Sequence, residues 1–80
     1  MSTLAVEVDP LAIEVTCTND RLHVVLADGR EILVPLVWFP RLYHATPEQR
    51  AQWRPIGGGV GMHWEAIDED ISVASLLRIR

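Results

Sequence analysis

Along the first 36 residues apolar and polar side chains alternate with a period of two, the spacing of a strand that buries one face. In "TLAVEV" Leu4, Val6 and Val8 alternate with Ala5, Glu7 and Asp9, and in "AIEVTC" Ile13, Val15 and Cys17 alternate with Glu14 and Thr16. "RLHVVLA" sets Leu22, Val24 and Leu26 on one side, and "REILVPL" does the same with Ile32, Val34 and Leu36. The breaks between these runs carry turn chemistry: Asp9-Pro10, then "TND" at 18–20, then Asp28-Gly29. Proline is poor inside a strand and Asp-Gly is a strong hairpin signal. The pattern predicts an antiparallel meander of three to four strands. Its shared apolar face holds Ile13, Val15, Leu22, Val24, Leu26, Ile32 and Val34, and such a face needs a cover.

The cover is expected from the C-terminal half, where the period lengthens. Trp38 with Leu42 and Phe39 with Tyr43 are spaced i,i+4, which predicts a helix over 37–44 with Pro40 tolerated in its first turn. "TPEQ" predicts a second helix: Thr46 caps, Pro47 takes the first helical position, Gln49 closes a capping box, and the helix runs a turn or two through Trp53. "GGGVG" at 57–61 interrupts any regular element as a loop or bulge, and "VGMHW" then reads as a strand ending at Trp64. A last helix is expected after Ser72, with Ile71 and Leu76 placed as a hydrophobic staple and Val73, Leu76 and Leu77 on one face. The carboxylates Asp68, Glu69 and Asp70 would lie just ahead of its positive end. The expected class is α+β: a three- to four-stranded meander covered by two or three short helices, with residues 1–80 as a single domain.

Composition narrows the setting. Hydrophobic residues at 49% and charged ones at 22% suit a folded domain and are too apolar for disorder. A chain of 80 residues hides only about 60% of its unfolded surface, so its core is small. One cysteine, no signal-peptide pattern and no run of about 20 apolar residues point to a cytoplasmic address. Seven basic residues, all arginine, against eleven acidic ones give a net charge of −4. That sign works against phosphate backbones, whose binding relies on clustered cations.

From Pro35 to Leu77 the chain resembles the bacterial family called domain of unknown function 2442. The likeness is carried by "PLVWFPRL", "ATPEQR", Trp53 followed by "IGGGVGMHW", and "DEDISVASLL", in that order. The N-terminal meander matches only as a generic strand pattern. Val37 stands where the family usually has a serine, so a side-chain cap worth about 0.5–2 kcal/mol is missing there. Glu65-Ala66 and Ala74-Ser75 also depart from the usual residues. The resemblance implies a small α+β module, sometimes followed by a helix-turn-helix, often encoded beside a second small protein in a two-gene arrangement like that of toxin–antitoxin pairs. It implies no particular activity, and no DNA-binding extension is expected beyond Arg80.

Candidate chemistry is thin. His63 with Asp68, Glu69 and Asp70 could meet a divalent ion, but the chain's His23, His44, His63 and Cys17 lack zinc-site spacings, so no metal site is expected. Cys17 falls on the apolar face of its strand, where a free thiol behaves as a small hydrophobe. "GGGVG" is followed by no Gly-Lys-Ser/Thr, which excludes a phosphate loop, and no cofactor is expected. With no acid–base pair or nucleophile–base set, an enzyme is not expected either.

Three tryptophans are many for this length. They can bridge helices and sheet, or form an exposed patch that receives a partner. The candidate partner-binding set is Trp38, Arg41, Arg50, Trp53, Arg54 and Trp64. The expectation is a cytoplasmic protein–protein interaction or regulatory module, the antitoxin-like half of a two-gene system, that binds another small protein or itself through an edge strand. The alternative is a dimeric DNA-associated regulator, although no basic recognition helix is present. Direct nucleic-acid contact and membrane association are not expected.

Overall fold

The computed structural model describes residues 10–78, so the strand read over Leu4 to Val8 lies outside the described residues. The remaining strands of the meander form one antiparallel sheet: β1 (Ala12–Cys17), β2 (Arg21–Leu26) and β3 (Glu31–Pro35), in the order β1-β2-β3. The turns close as their residues dictate. Thr18 Oγ1 accepts the Arg21 amide at 3.0 Å. Gly29 takes φ +95° in the Asp28-Gly29 turn, a conformation that side chains resist.

Register places Val15, Val24 and Ile32 in one inward row and Cys17, Leu22 and Val34 in the next. Ile13 corrects the expected face. The pairing shifts between Ala12 and Glu14, a bulge that gives β1 an extra residue. Ala12 and Val15 therefore both turn inward, and Ile13 is left 60% exposed. No sequence period shows this, because the bulge is set by what β1 meets at its start. There the Ala12 amide donates to Gly59 O at 2.8 Å.

The C-terminal half supplies short helices, as expected, and also a second sheet. The helix expected over 37–44 divides into a 3₁₀ turn, Leu36–Trp38, and α1, Pro40–Tyr43. Phe39 between them sits at φ −121°, ψ 86°, because the ring of Pro40 keeps the preceding residue out of helical geometry. The next helix, α2 (Pro47–Ala51), carries the full capping box between Thr46 and Gln49. It stops before Trp53, which opens β4 (Trp53–Ile56).

β5 (Gly61–Trp64) returns as expected, and β6 (Glu69–Ser72) occupies the acidic run. These three form an antiparallel sheet in the order β4-β5-β6. Glu69 and Asp70 are thus strand residues, Asp68 lies in the turn before them, and β6 runs directly into the helix that the acidic run was expected to precede. Asp68 makes the reversal possible by taking φ +51°, a left-handed geometry that aspartate tolerates. Finally α3 (Val73–Leu77) starts as read, with Ser72 Oγ accepting the Ser75 amide at 3.1 Å.

The inner faces of both sheets meet in one cluster. Leu22, Val24, Leu26 and Val34 come from the first sheet, and Met62, Trp64 and Ile71 from the second. Leu36, Leu42 and Val73 close the sides from the 3₁₀ turn, α1 and α3. The cover over the meander is therefore part helix and part strand, an α+β fold. Among the described residues no helix is long and apolar enough to cross a membrane.

Candidate functional site

The fold separates the six nominated residues. Trp64 is fully buried, and its indole Nε1 donates to Arg50 O at 3.0 Å. It departs from the expected exposed patch: β5 faces its odd-numbered neighbour His63 outward and Trp64 into the core, so the Trp64 side chain presents no surface to solvent. Trp53, paired with Trp64 across β4 and β5, is half-buried against the same core. Trp38 is the opposite case, 64% exposed on the 3₁₀ turn beside Val37 at 58%. The turn itself is anchored by Leu36, whose side chain is buried and whose amide donates to Asp20 O at 2.9 Å. Tyr43 adds a further exposed ring, edge-on to His44 with centroids 5.2 Å apart.

The arginines are largely engaged within the chain. Arg50 Nε donates to Leu42 O at 2.9 Å, a carbonyl that also accepts the Ala45 amide at 3.1 Å, and Arg50 Nη2 donates to Tyr43 O at 2.8 Å, so the guanidinium caps the end of α1. Arg41 donates to Asp68 O, which ties α1 to the start of β6. Arg54 lies 3.8 Å from Glu65, an exposed pair of small energetic weight. The three arginines make separate contacts: hydrogen bonds from Arg41 and Arg50, and an exposed ion pair from Arg54.

His63 meets one member of the acidic run. Its Nδ1 hydrogen-bonds Asp70 Oδ1 across β5 and β6, while Asp68 and Glu69 turn elsewhere. His23 pairs in the same cross-strand manner with Glu31, at 2.6 Å. Among the described residues no three His, Cys, Asp or Glu side chains converge as a metal site requires.

Cys17 lines a cleft of about 240 Å³ between the end of β1 and α2, with Thr18, Asn19, Pro47 and Arg50. Burial raises its thiol above the usual value, and the charge of Arg50 opposes this only in part. A thiol held protonated is a poor nucleophile.

The surface that remains is apolar and acidic. Exposed Val37 and Trp38 form one apolar part, and the second sheet carries another, where Ile56 and Val60 flank Gly61. Sequence reading missed Val37, Ile56 and Val60, because an apolar run around a turn does not disclose which members point outward.

The family model described as "Protein of unknown function (DUF2442)" matches residues 12–80. This chain belongs to the DUF2442 family. The match takes in the meander from β1 onward as well as the second sheet, which extends the likeness of the Pro35–Leu77 motifs to nearly the whole described chain. The chain is also similar to a protein of unknown function from Rhodospirillum rubrum ATCC 11170, solved as a crystal structure. The two share 28% identity over 86% of each chain, with a TM-score of 0.73. No curated protein matches. In this chain "PLVWFPRL" has a physical meaning: Leu36 and Leu42 are buried anchors, Pro40 splits the helix, and Val37 and Trp38 are presented outward.

Proposed function

We propose that this DUF2442 chain is a cytoplasmic, non-enzymatic interaction module, the antitoxin-like or regulatory half of a two-gene system, whose aromatic surface receives a second small protein. The observation that carries this reading is the outward display of Val37 and Trp38 from a turn pinned on both sides by buried leucines. Exposing a tryptophan at 64% on a rigid platform leaves a large apolar surface in water. Such residues are typical anchors of protein interfaces, where truncation costs about 2 kcal/mol or more. The net charge of −4 favours a basic partner. A role in direct DNA contact draws no support from Arg41, Arg50 and Arg54, which are tied to carbonyls and to Glu65.

Co-expression with the product of the adjacent gene tests the reading. The two proteins are expected to copurify, and Val37→Ser with Trp38→Ala to abolish the complex without changing the melting temperature of the free chain. The absence of a complex at micromolar concentration, or an intact complex in the double variant, overturns it.

A further inference from the structure

The outer edges of the two sheets differ in how they are guarded. β4 carries Pro55 in its middle, which removes a donor, and β6 carries Glu69 and Asp70. β1 opens on the bulge bonded to Gly59, and its last residues border α2. Proline, charge, bulges and cover are the usual means of keeping an edge from pairing. β3 has no proline before Pro35, no bulge and no charge after Glu31. No described strand pairs with its outer side, and its central residue, Leu33, is 60% exposed.

The hydrogen bonds that frame the β2–β3 ladder show which groups of β3 are free. The Leu26 amide donates to Arg30 O at 2.8 Å and the Leu36 amide to Asp20 O at 2.9 Å, so the even-numbered residues of β3 turn their backbone towards β2. The amides and carbonyls of Glu31 and Leu33, with the Pro35 carbonyl, therefore point away from the sheet.

This edge is its own complement. In an antiparallel copy related by a two-fold axis at Leu33, each Leu33 amide meets the other Leu33 carbonyl, and each Glu31 amide meets the other Pro35 carbonyl. The same register sets Leu33 against Leu33 on the outer face, and the partly buried Ile32 against Val34 on the inner one. It keeps the two Glu31 carboxylates at opposite ends of the pairing, and each is already bonded to His23 of its own chain at 2.6 Å. Neighbouring registers are poorer. An axis at Ile32 would set exposed Leu33 against the Glu31 carboxylate, and one at Val34 would face the Leu33 carbonyl with Pro35, which has no amide.

We infer that the outer edge of β3 pairs with the same edge of a second copy about a two-fold axis at Leu33, joining two three-stranded sheets into one. The contact goes beyond the interaction reading and uses neither Val37 nor Trp38.

Sedimentation of the full chain from micromolar to hundreds of micromolar concentration tests it. The wild type is expected to pass from monomer to dimer, and the Glu31 and Leu33 amides to exchange with deuterium more slowly as the dimer fills. Leu33→Lys and Leu33→Glu, each placing like charges opposite one another on an exposed position, should weaken self-association roughly tenfold. Mixing the two variants should restore a one-to-one dimer, because only an axis at Leu33 sets the two introduced charges face to face. A chain that stays monomeric throughout, amide protection that does not depend on concentration, or a mixture no tighter than either variant alone overturns the inference. Trp38→Ala, the probe of the interaction reading, should leave the dimer intact; its loss in that variant would assign self-association to the aromatic turn instead and overturn the β3 pairing.

Discussion

Arg50 offers the sharpest quantitative check, because its spacing in sequence suggests a partner contact and its geometry gives it an internal one. Arg50→Met keeps the length and apolar stem of the side chain and removes the guanidinium. The Leu42 and Tyr43 carbonyls then lose donors at 2.9 and 2.8 Å, the first of them partly buried. A hydrogen bond from a charged donor contributes about 1.5–3 kcal/mol, and the more exposed Tyr43 contact less. The loss should therefore be about 2 kcal/mol. For a domain of 60–100 residues each kcal/mol moves the melting temperature by about 4–8 °C, so a fall of about 8–16 °C is expected. Arg50→Lys should recover less than half, since one ammonium on a flexible stem does not reproduce a planar fork that spans two carbonyls. Urea unfolding monitored by tryptophan fluorescence gives the free energy directly. A change below about 0.5 kcal/mol for Arg50→Met, the range of ordinary surface substitutions, would refute this account of the α1–α2 junction.

Three further outcomes follow from the same packing. Leu42→Ala should cost about 2–5 kcal/mol as a cavity in the core, whereas Trp38→Ala should change stability by less than about 0.5 kcal/mol; paired urea titrations will check the contrast. Gly59→Ala should destabilise by more than Gly58→Ala does, because a Cβ on Gly59 would lie 2.9 Å from both Ala12 O and Leu11 Cβ while one on Gly58 meets nothing within 4 Å; calorimetry on the two variants separates the clash from the positive-φ strain they share. Arg30 beside Asp28 holds that carboxyl below its usual value, so its contribution is present above the ordinary aspartate range and is lost as pH falls through the lowered folded value. Stability measured from pH 7 down to pH 2 should show a shallower acid decline in Asp28→Asn, and an unchanged decline would remove Asp28 from that role.

The local elements were largely legible in the order of residues. Period-two alternation marked β1 to β3, and Asp28-Gly29 marked their hairpin. Thr46, Pro47 and Gln49 named the start of α2, and Ser72 the start of α3. These features depend on neighbours within a few positions, where backbone geometry and capping are decided. What failed to show was decided by distant segments. The Ala12 bulge follows from the contact with Gly59, whereas the division of the helix expected over 37–44 is the local exception, set by Pro40 on Phe39. Trp53, apolar and near the end of a helical pattern, falls within the expected helix because periodicity in so short a run does not separate a helix end from a strand start. The acidic run reads as a helix approach until its pairing with β5 is known, for charged residues on a solvent-facing edge carry no strand signal.

The candidate surface divides in the same way. The chain by itself determined an acidic, lysine-free α+β domain with surplus tryptophan. Only tertiary structure decided that Trp64 belongs to the core, that Arg50 and Arg41 brace α1, and that Val37, Trp38, Ile56 and Val60 are left facing water. The physical reason is that burial is a property of the whole packed molecule. A tryptophan is equally apolar at 38 and at 64, and what separates them is which one the two sheets close upon.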